Sequence, residues 1–360
     1  MQTRRVILCG LGRVGRAFVQ LLRERRELLR EQYDLDLRLV AVVDIGGVAL
    51  APGALEAMPL AELLDHLNMG GRVEAFGDFG IPGTAGEAVI DSVDADVMVE
   101  TTPTNLTTGE PGLRHMRAAL LRGMDVVAAN KGPLVLRYVE LHELAQTHRA
   151  RIAMSAATAA ALPTLDVGQT CLAGAKILGI EGILNGTTNF ILTKMQAENY
   201  PYLDALQEAQ TRGIAETDPA LDVEGYDTAN KLILLSNALL GTRFGPGHVN
   251  RRGITQISAQ IVADARRAGK SLKLIGRAHG GHGSIHLSVS PEELPPDHPL
   301  ATVHGAEEAV MYDTDTMGRI TVVGGNSSPM GAAAALLKDI INLARTPALL
   351  KPKSDPPVEQ

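Results

Sequence analysis

The chain has 360 residues, 45% of them apolar and 21% charged, and a formal net charge of −7. That length exceeds one ordinary core and implies two domains, while the acidic balance excludes a surface built for nucleic acid or anionic membrane, since both need clustered Lys and Arg. Cys9 and Cys171 fit neither a disulfide framework nor a zinc pattern, and neither a signal-peptide layout nor a membrane-length apolar run is present, so a cytoplasmic protein is expected.

The chain opens with "RRVILCGLGRVGRAFVQLLRERREL". Val6–Cys9 is a β-type apolar run, and Val14, Phe18, Leu21 and Leu22 recur at helical spacing. Between them Gly10, Gly12 and Gly15 keep G-x-G-x-x-G spacing. Strand, glycine turn and helix in this order form a dinucleotide-binding pattern: the glycines allow the turn, the backbone approach to a pyrophosphate and the helix–strand packing. Arg13 and Val14 lie inside that turn. A second strand, "LRLVAVVD", ends at Asp44, whose carboxylate suits ribose hydroxyls and repels a 2′-phosphate. NAD is therefore favoured over NADP, with Arg13 able to offset the preference. "ADVMVETTP" (95–103) is a buried strand running into Thr101, Thr102 and Pro103. A helix over 112–123 leads to the strand of "MDVVAANKGPL", which ends at Lys131, and "ARIAMSAAT" (150–158) is the next strand. Alternating strands and helices predict a Rossmann-like, doubly wound parallel sheet with ligands at the strands' carboxyl ends.

Beyond residue 150 the pattern changes. "KILGIEGIL" is a strand, and "NGTTN" is a turn in which Thr187 or Thr188 caps the helix that follows. "YLDALQEAQTRG" is amphipathic, with Leu203, Leu206 and Ala209 on one face and Gly213 as its stop. "AETDPALDVEGYDTANKL" (215–232) then packs Glu216, Asp218, Asp222, Glu224 and Asp227 ahead of Lys231. Asp227 and Lys231 are four apart and share a helix face. Such a pair is ordinarily a surface contact contributing under about 1 kcal/mol. The carboxylates beside it suit a ligand carrying a cationic amine. A helix and strand over "RRGITQISAQIVADARRAGKSLKLIGRA", a hairpin around Asp315–Gly318 and a closing helix "PMGAAAALLKDIINLAR" complete the predicted elements. Both cysteines fall in apolar segments and are expected in the core, which argues against a thiol-dependent acylating dehydrogenase.

The motifs "GLGRVGR", "VETTPTNLTTGEPG", "AANKGPL", "NGTTNFIL", "AETDPALDVEGYDTANKL", "RRGITQIS" and "HPLA" together resemble homoserine dehydrogenase over nearly the whole chain. The resemblance implies NAD(P)-dependent oxidation of L-homoserine to L-aspartate 4-semialdehyde and the reverse reduction, in threonine and methionine biosynthesis. It implies a nucleotide domain (1–150), an α/β substrate and dimerisation domain (151–312), a return to the nucleotide domain (313–348), a disordered tail (349–360) and a homodimer. It makes Lys231 catalytic with Asp227 in support, and places Lys131 between cofactor and substrate. Glu216, Asp222 and Thr187 become substrate-binding residues, and Gly213 and Gly324 lie near the nicotinamide. Which lysine makes the final proton transfer stays open.

Three departures follow. Where many members carry a glutamate at a monovalent cation site, this chain has Ser155, leaving the backbone carbonyls of Thr158 and Ala160 as its ligands without a carboxylate. The late glycine-rich turn reads "GGNSSPMGAA", altered but keeping Gly324 and Gly325. The chain matches the catalytic module alone, so neither an aspartate kinase nor an ACT-type regulatory domain is expected. Two other readings share the fold: another NAD(P)-dependent reductase of an amino-acid aldehyde or imine, and a non-catalytic dinucleotide sensor.

Overall fold

The computed structural model describes residues 1–51, 53, 57–280, 284–325 and 327–345. The first half runs β1 (Gln2–Cys9), α1 (Arg13–Glu24), α2 (Arg26–Tyr33), β2 (Leu35–Asp44), β3 (Gly47–Leu50), α3 (Leu60–Asn68), β4 (Gly80–Pro82), α4 (Gly86–Ser92), β5 (Val97–Glu100), α5 (Gly112–Leu121), β6 (Asp125–Ala128), α6 (Lys131–Thr147) and β7 (Ile152–Ala153). The seven strands form one sheet in the order β4-β3-β2-β1-β5-β6-β7. Its centre, β2-β1-β5-β6-β7, is parallel, and β3 and β4 add an antiparallel edge. Val6, Ile7, Leu8 and Cys9 are all 0% exposed, because helices cover both faces of the central strand.

The second half runs α7 (Ser155–Ala159), α8 (Thr164–Asp166), β8 (Ile177–Ile183), α9 (Gly186–Glu198), α10 (Tyr202–Thr211), α11 (Ala220–Val223), α12 (Tyr226–Leu240), β9 (Val249–Arg251), α13 (Ala259–Arg267), β10 (Ser271–His279), β11 (His286–Leu294), β12 (Glu308–Thr314), β13 (Arg319–Gly324) and α14 (Pro329–Arg345). Its sheet has the order β13-β12-β8-β10-β11-β9. Helices α9 and α12 pack on β10 and bury Ile191, Leu232, Ile233 and Leu235. No helix among the described residues is long and apolar enough to cross a membrane.

Several local expectations are corrected. The strand expected over 150–158 stops at Ala153, and Ser155 starts a short helix. The hairpin of β12 and β13 stays in the second sheet to Gly324, so the chain does not return at 313. It is α14 that crosses back, packing on α1 with Ala333, Leu336 and Ile340 in one cluster with Phe18 and Leu22. Asn185, not a threonine, caps α9: its Oδ1 accepts from Thr188 N at 2.9 Å. On α10, Leu203 is exposed while Ala205 and Ala209 are buried. Cys9 is buried, but Cys171 is exposed, because the apolar stretch around it turns its side chain outward. The tail expected over 349–360 lies outside the described residues.

Candidate active site

The nucleotide half is made of backbone at the carboxyl ends of β1, β2, β5 and β6. Gly10 has φ +94°, and a Cβ there would sit 2.7 Å from Thr102 N. A Cβ on Gly15 would sit 2.1 Å from Gly10 O, so only glycine lets α1 pack this close to the turn. Gly12 faces open space at the first turn of α1, where backbone N–H groups suit a pyrophosphate. Arg13 and Val14 begin that helix. Thr101 Oγ1 donates to Cys9 O at 3.0 Å and Gly10 O at 2.8 Å, fixing the turn against β5. Thr102 donates through N (2.8 Å) and Oγ1 to the buried Glu100, and Asn130 Nδ2 reaches Thr102 Oγ1 at 3.0 Å and Pro103 O at 3.4 Å. Asp44 ends β2, as the spacing predicts.

The substrate half is made of buried charge. Asn130 caps α6 by accepting from Gly132 N, which sets Lys131 on the first turn. Lys131 Nζ lies 3.3 Å from Asp227 Oδ1, and Lys231 Nζ lies 3.1 Å from Asp227 Oδ2. The two lysines, remote in sequence and from different domains, thus share one carboxylate. Lys231 is 6% exposed. Its Nζ also donates to Leu184 O at 2.6 Å and to Glu308 Oε1 at 2.9 Å. Burial opposes its charge, but Asp227 and Glu308 outweigh burial and hold its pKa above the ordinary lysine value. Burial likewise opposes the Asp227 charge, and Lys231 with Lys131 keeps its pKa well below the usual carboxylate range. Glu308 goes the other way: burial pushes its carboxyl up, and its Oε2 is buried without a partner. Asn185 Nδ2 joins Asp222 Oδ1 (2.8 Å) to Asp227 Oδ2 (3.1 Å). Burial and then the Asp227 charge raise the pKa of Asp222.

Not every expected residue joins this cluster. Glu216 instead pairs with Arg13 across the cleft, with both side chains largely exposed. Thr187 Oγ1 donates to Ile214 O at 3.1 Å. Thr187, Gly213 and Gly325 line one cavity of ≈ 350 Å³ with Gly186, Ile214 and Glu307. Gly324 stands beside it at φ +124°. A larger groove of ≈ 1100 Å³ between the 168–178 segment and the end of α12 holds none of these residues. Glu308 and Asn185 escaped the sequence reading. The asparagine had a signal, since it opens "NGTTN" at a helix start; the glutamate, one acid in a strand, had none.

At the expected cation site the family's carboxylate is replaced by a hydroxyl that is already engaged. Ser155 Oγ donates to Asp339 Oδ1 at 2.7 Å and accepts from Lys338 Nζ at 2.9 Å. The Lys338 ammonium therefore already stands beside the position where the family's glutamate would lie. Thr158 spends its hydroxyl on Ser155 O and Thr164, and Ala160 turns the chain at φ +47°. Cys9, Glu100 and His115 form the one buried group with metal-ligand geometry among the described residues. Glu100 is committed there to Thr102 and His115.

Comparison with known proteins gives the family. A family model for the homoserine dehydrogenase NAD-binding domain covers residues 10–155, and the homoserine dehydrogenase model covers 163–341. A homoserine dehydrogenase of Methanocaldococcus jannaschii is 37% identical over 338 residues, 94% of this chain and 98% of that protein. The chain belongs to the homoserine dehydrogenase family. A relative from Pseudomonas canavaninivorans named NAD(+)-dependent homoserine dehydrogenase is also 37% identical, with 94% and 96% covered. The crystal structure of a putative homoserine dehydrogenase from Archaeoglobus fulgidus superposes with a TM-score of 0.84 at 31% identity, covering 94% of this chain and 99% of that one. A hyperthermophilic archaeal homoserine dehydrogenase mutant in complex with NADPH gives 0.82 at 25%, covering 97% and 100%. The protein is thus an enzyme of NAD(P)-dependent homoserine oxidoreduction, and the other two readings are not favoured.

Proposed function

We propose that Lys131 moves the proton in homoserine oxidoreduction, while Lys231 holds the carboxylates around it and Asp222 takes the substrate ammonium. The observation that carries this division is the coordination of Lys231. An ammonium has three protons, and Leu184 O, Glu308 and Asp227 supply an acceptor for each. Giving one to substrate would break a buried ion pair. Lys131 has Asp227 as its one side-chain partner among the described residues and keeps protons to offer.

When bound, the nicotinamide gives or takes the hydride. In reduction, Lys131 Nζ donates a proton to the carbonyl oxygen, which becomes the hydroxyl. In oxidation, the neutral nitrogen takes the hydroxyl proton while the hydride leaves the same carbon. Asp222, whose pKa is raised by burial and by Asp227, gains most from a cation placed beside it. Lys131→Met and Lys231→Met, compared in single turnover with NADH binding measured by fluorescence, test the assignment. Near-normal hydride transfer in folded Lys131→Met would sink it.

The Asp44 carboxylate at the end of β2 supports NAD over NADP. The ratio of kcat/KM for the two cofactors checks this. A homodimer through the second sheet is supported at its β13 edge, where the strand has no neighbour on one side among the described residues and Val323 is 48% exposed. Light scattering of the purified enzyme reads the mass directly.

A further inference from the structure

Away from the lysine pair, α9, α13 and the start of β10 enclose a small cationic cavity. It measures ≈ 180 Å³, and its polar lining is Thr193, Gln196, Arg266, Ser271, Lys273 and His304, without a carboxylate. Lys273 is 2% exposed. Its Nζ donates to Asn189 Oδ1 at 3.0 Å and Val303 O at 2.5 Å, which uses two of three ammonium protons. No acid pairs with it among the described residues. Glu292, its cross-strand neighbour on β11, is taken by Arg277 at 2.6 Å. A buried, unpaired cation is costly, and burial brings the Lys273 pKa down to about 8. Thr193 Oγ1, on the same cavity, is buried with no partner. Arg266 stands exposed at the rim, donating to Gln196 O at 3.3 Å.

We propose that this cavity binds a small tetrahedral oxyanion of the phosphate or sulfate type. Such an ion supplies the missing countercharge to Lys273 and an acceptor for the Thr193 hydroxyl, with Arg266 closing over it. Its oxygens point in several directions, as the donors on α9, α13, β10 and the 304 loop require; a planar carboxylate offers two. The volume excludes a nucleotide. Asn189, which touches Lys273, also donates to Val303 O (3.3 Å) and Glu307 O (3.0 Å). An occupied site therefore braces the segment that leads into Glu308.

Inorganic phosphate titrated calorimetrically into the enzyme is the direct test. Saturating NADH fills the pyrophosphate turn, and chloride holds ionic strength constant. The expected result is one saturable site per chain, absent in Lys273→Met and weakened roughly tenfold in Arg266→Gln. Arg266 is a rim residue outside the active site, so its variant should keep homoserine turnover and decides the matter alone if Lys273→Met does not fold. An unsaturable signal, or wild-type affinity in Arg266→Gln, overturns the proposal.

Discussion

In the first domain the cleft wall is backbone: Gly10, Gly12 and Gly15 present N–H groups and empty space, and Thr101 clamps the turn from β5. In the second domain the facing wall is buried charge: Lys231, Asp227, Glu308 and Asp222 sit within hydrogen-bond reach of one another or of Asn185. A polyanionic cofactor is held by many weak dipoles that need no counterion of their own. A small zwitterion needs a few fixed charges, and those must neutralise one another when the site is empty. The first wall tolerates side-chain change and fails on backbone change; the second should do the reverse.

The sharpest way to break that contrast is at Lys131, which belongs to the first domain by sequence and to the second wall by its ion pair with Asp227. Lys131→Met is expected to lower kcat about 10³-fold with NADH affinity unchanged, as loss of a general acid does. Lys231→Met should act on stability first. It strands Glu308 as a buried carboxylate and leaves Asp227 with Lys131 alone, at about 3–5 kcal/mol in denaturant unfolding near neutral pH. Without its cation the Glu308 carboxyl, which burial already raises, is raised further in the folded state, so the variant should regain stability as pH falls toward 4. In wild type the Asp227 share runs the other way: its carboxylate, with a pKa depressed by Lys231 and Lys131 against burial, contributes stability above the unfolded carboxylate pKa of about 3.9 that is lost as pH falls below it. A pH series of unfolding midpoints separates the two curves.

On the backbone wall, Gly10→Ala meets both a left-handed φ and the Thr102 amide, and should cost about 2 kcal/mol with a weakened NADH affinity. A midpoint unmoved by this change would erase the distinction between the walls. Glu308→Gln keeps an acceptor for Lys231 and removes a charge that burial already disfavours, so stability should move by no more than about 1 kcal/mol. Smallest of all, Asp44→Ser should narrow the NAD to NADP ratio of kcat/KM by about tenfold or less, through loss of ribose bonding and of repulsion.

The backbone wall was legible in the sequence because its signals are local. Each glycine, and Asp44, has a place set by the strand or helix beside it. The same holds for Asp227 and Lys231, four apart on α12. What was illegible depends on partners far along the chain. Cys171 and Leu203 sit in apolar stretches yet face outward, since periodicity names a face but not what covers it. The strand expected over 150–158 failed at Ser155, whose backbone and hydroxyl are engaged by Asp339 from the last helix. Glu216 reads as one more acid of its cluster, yet its partner Arg13 lies in the glycine turn.

The sequence by itself determined the fold class, the glycine turn and the family resemblance. Periodicity, turn chemistry and i,i+4 spacing act over a few residues and can be read from those residues alone. Only the tertiary structure decided that Lys131 and Lys231 share Asp227, that Glu308 completes the Lys231 shell and that Lys273 lacks an acid. Pairing of buried charges is a matter of distance in space, and the chain brings Lys131, Asp227 and Glu308 together only once two domains and both sheets are in place.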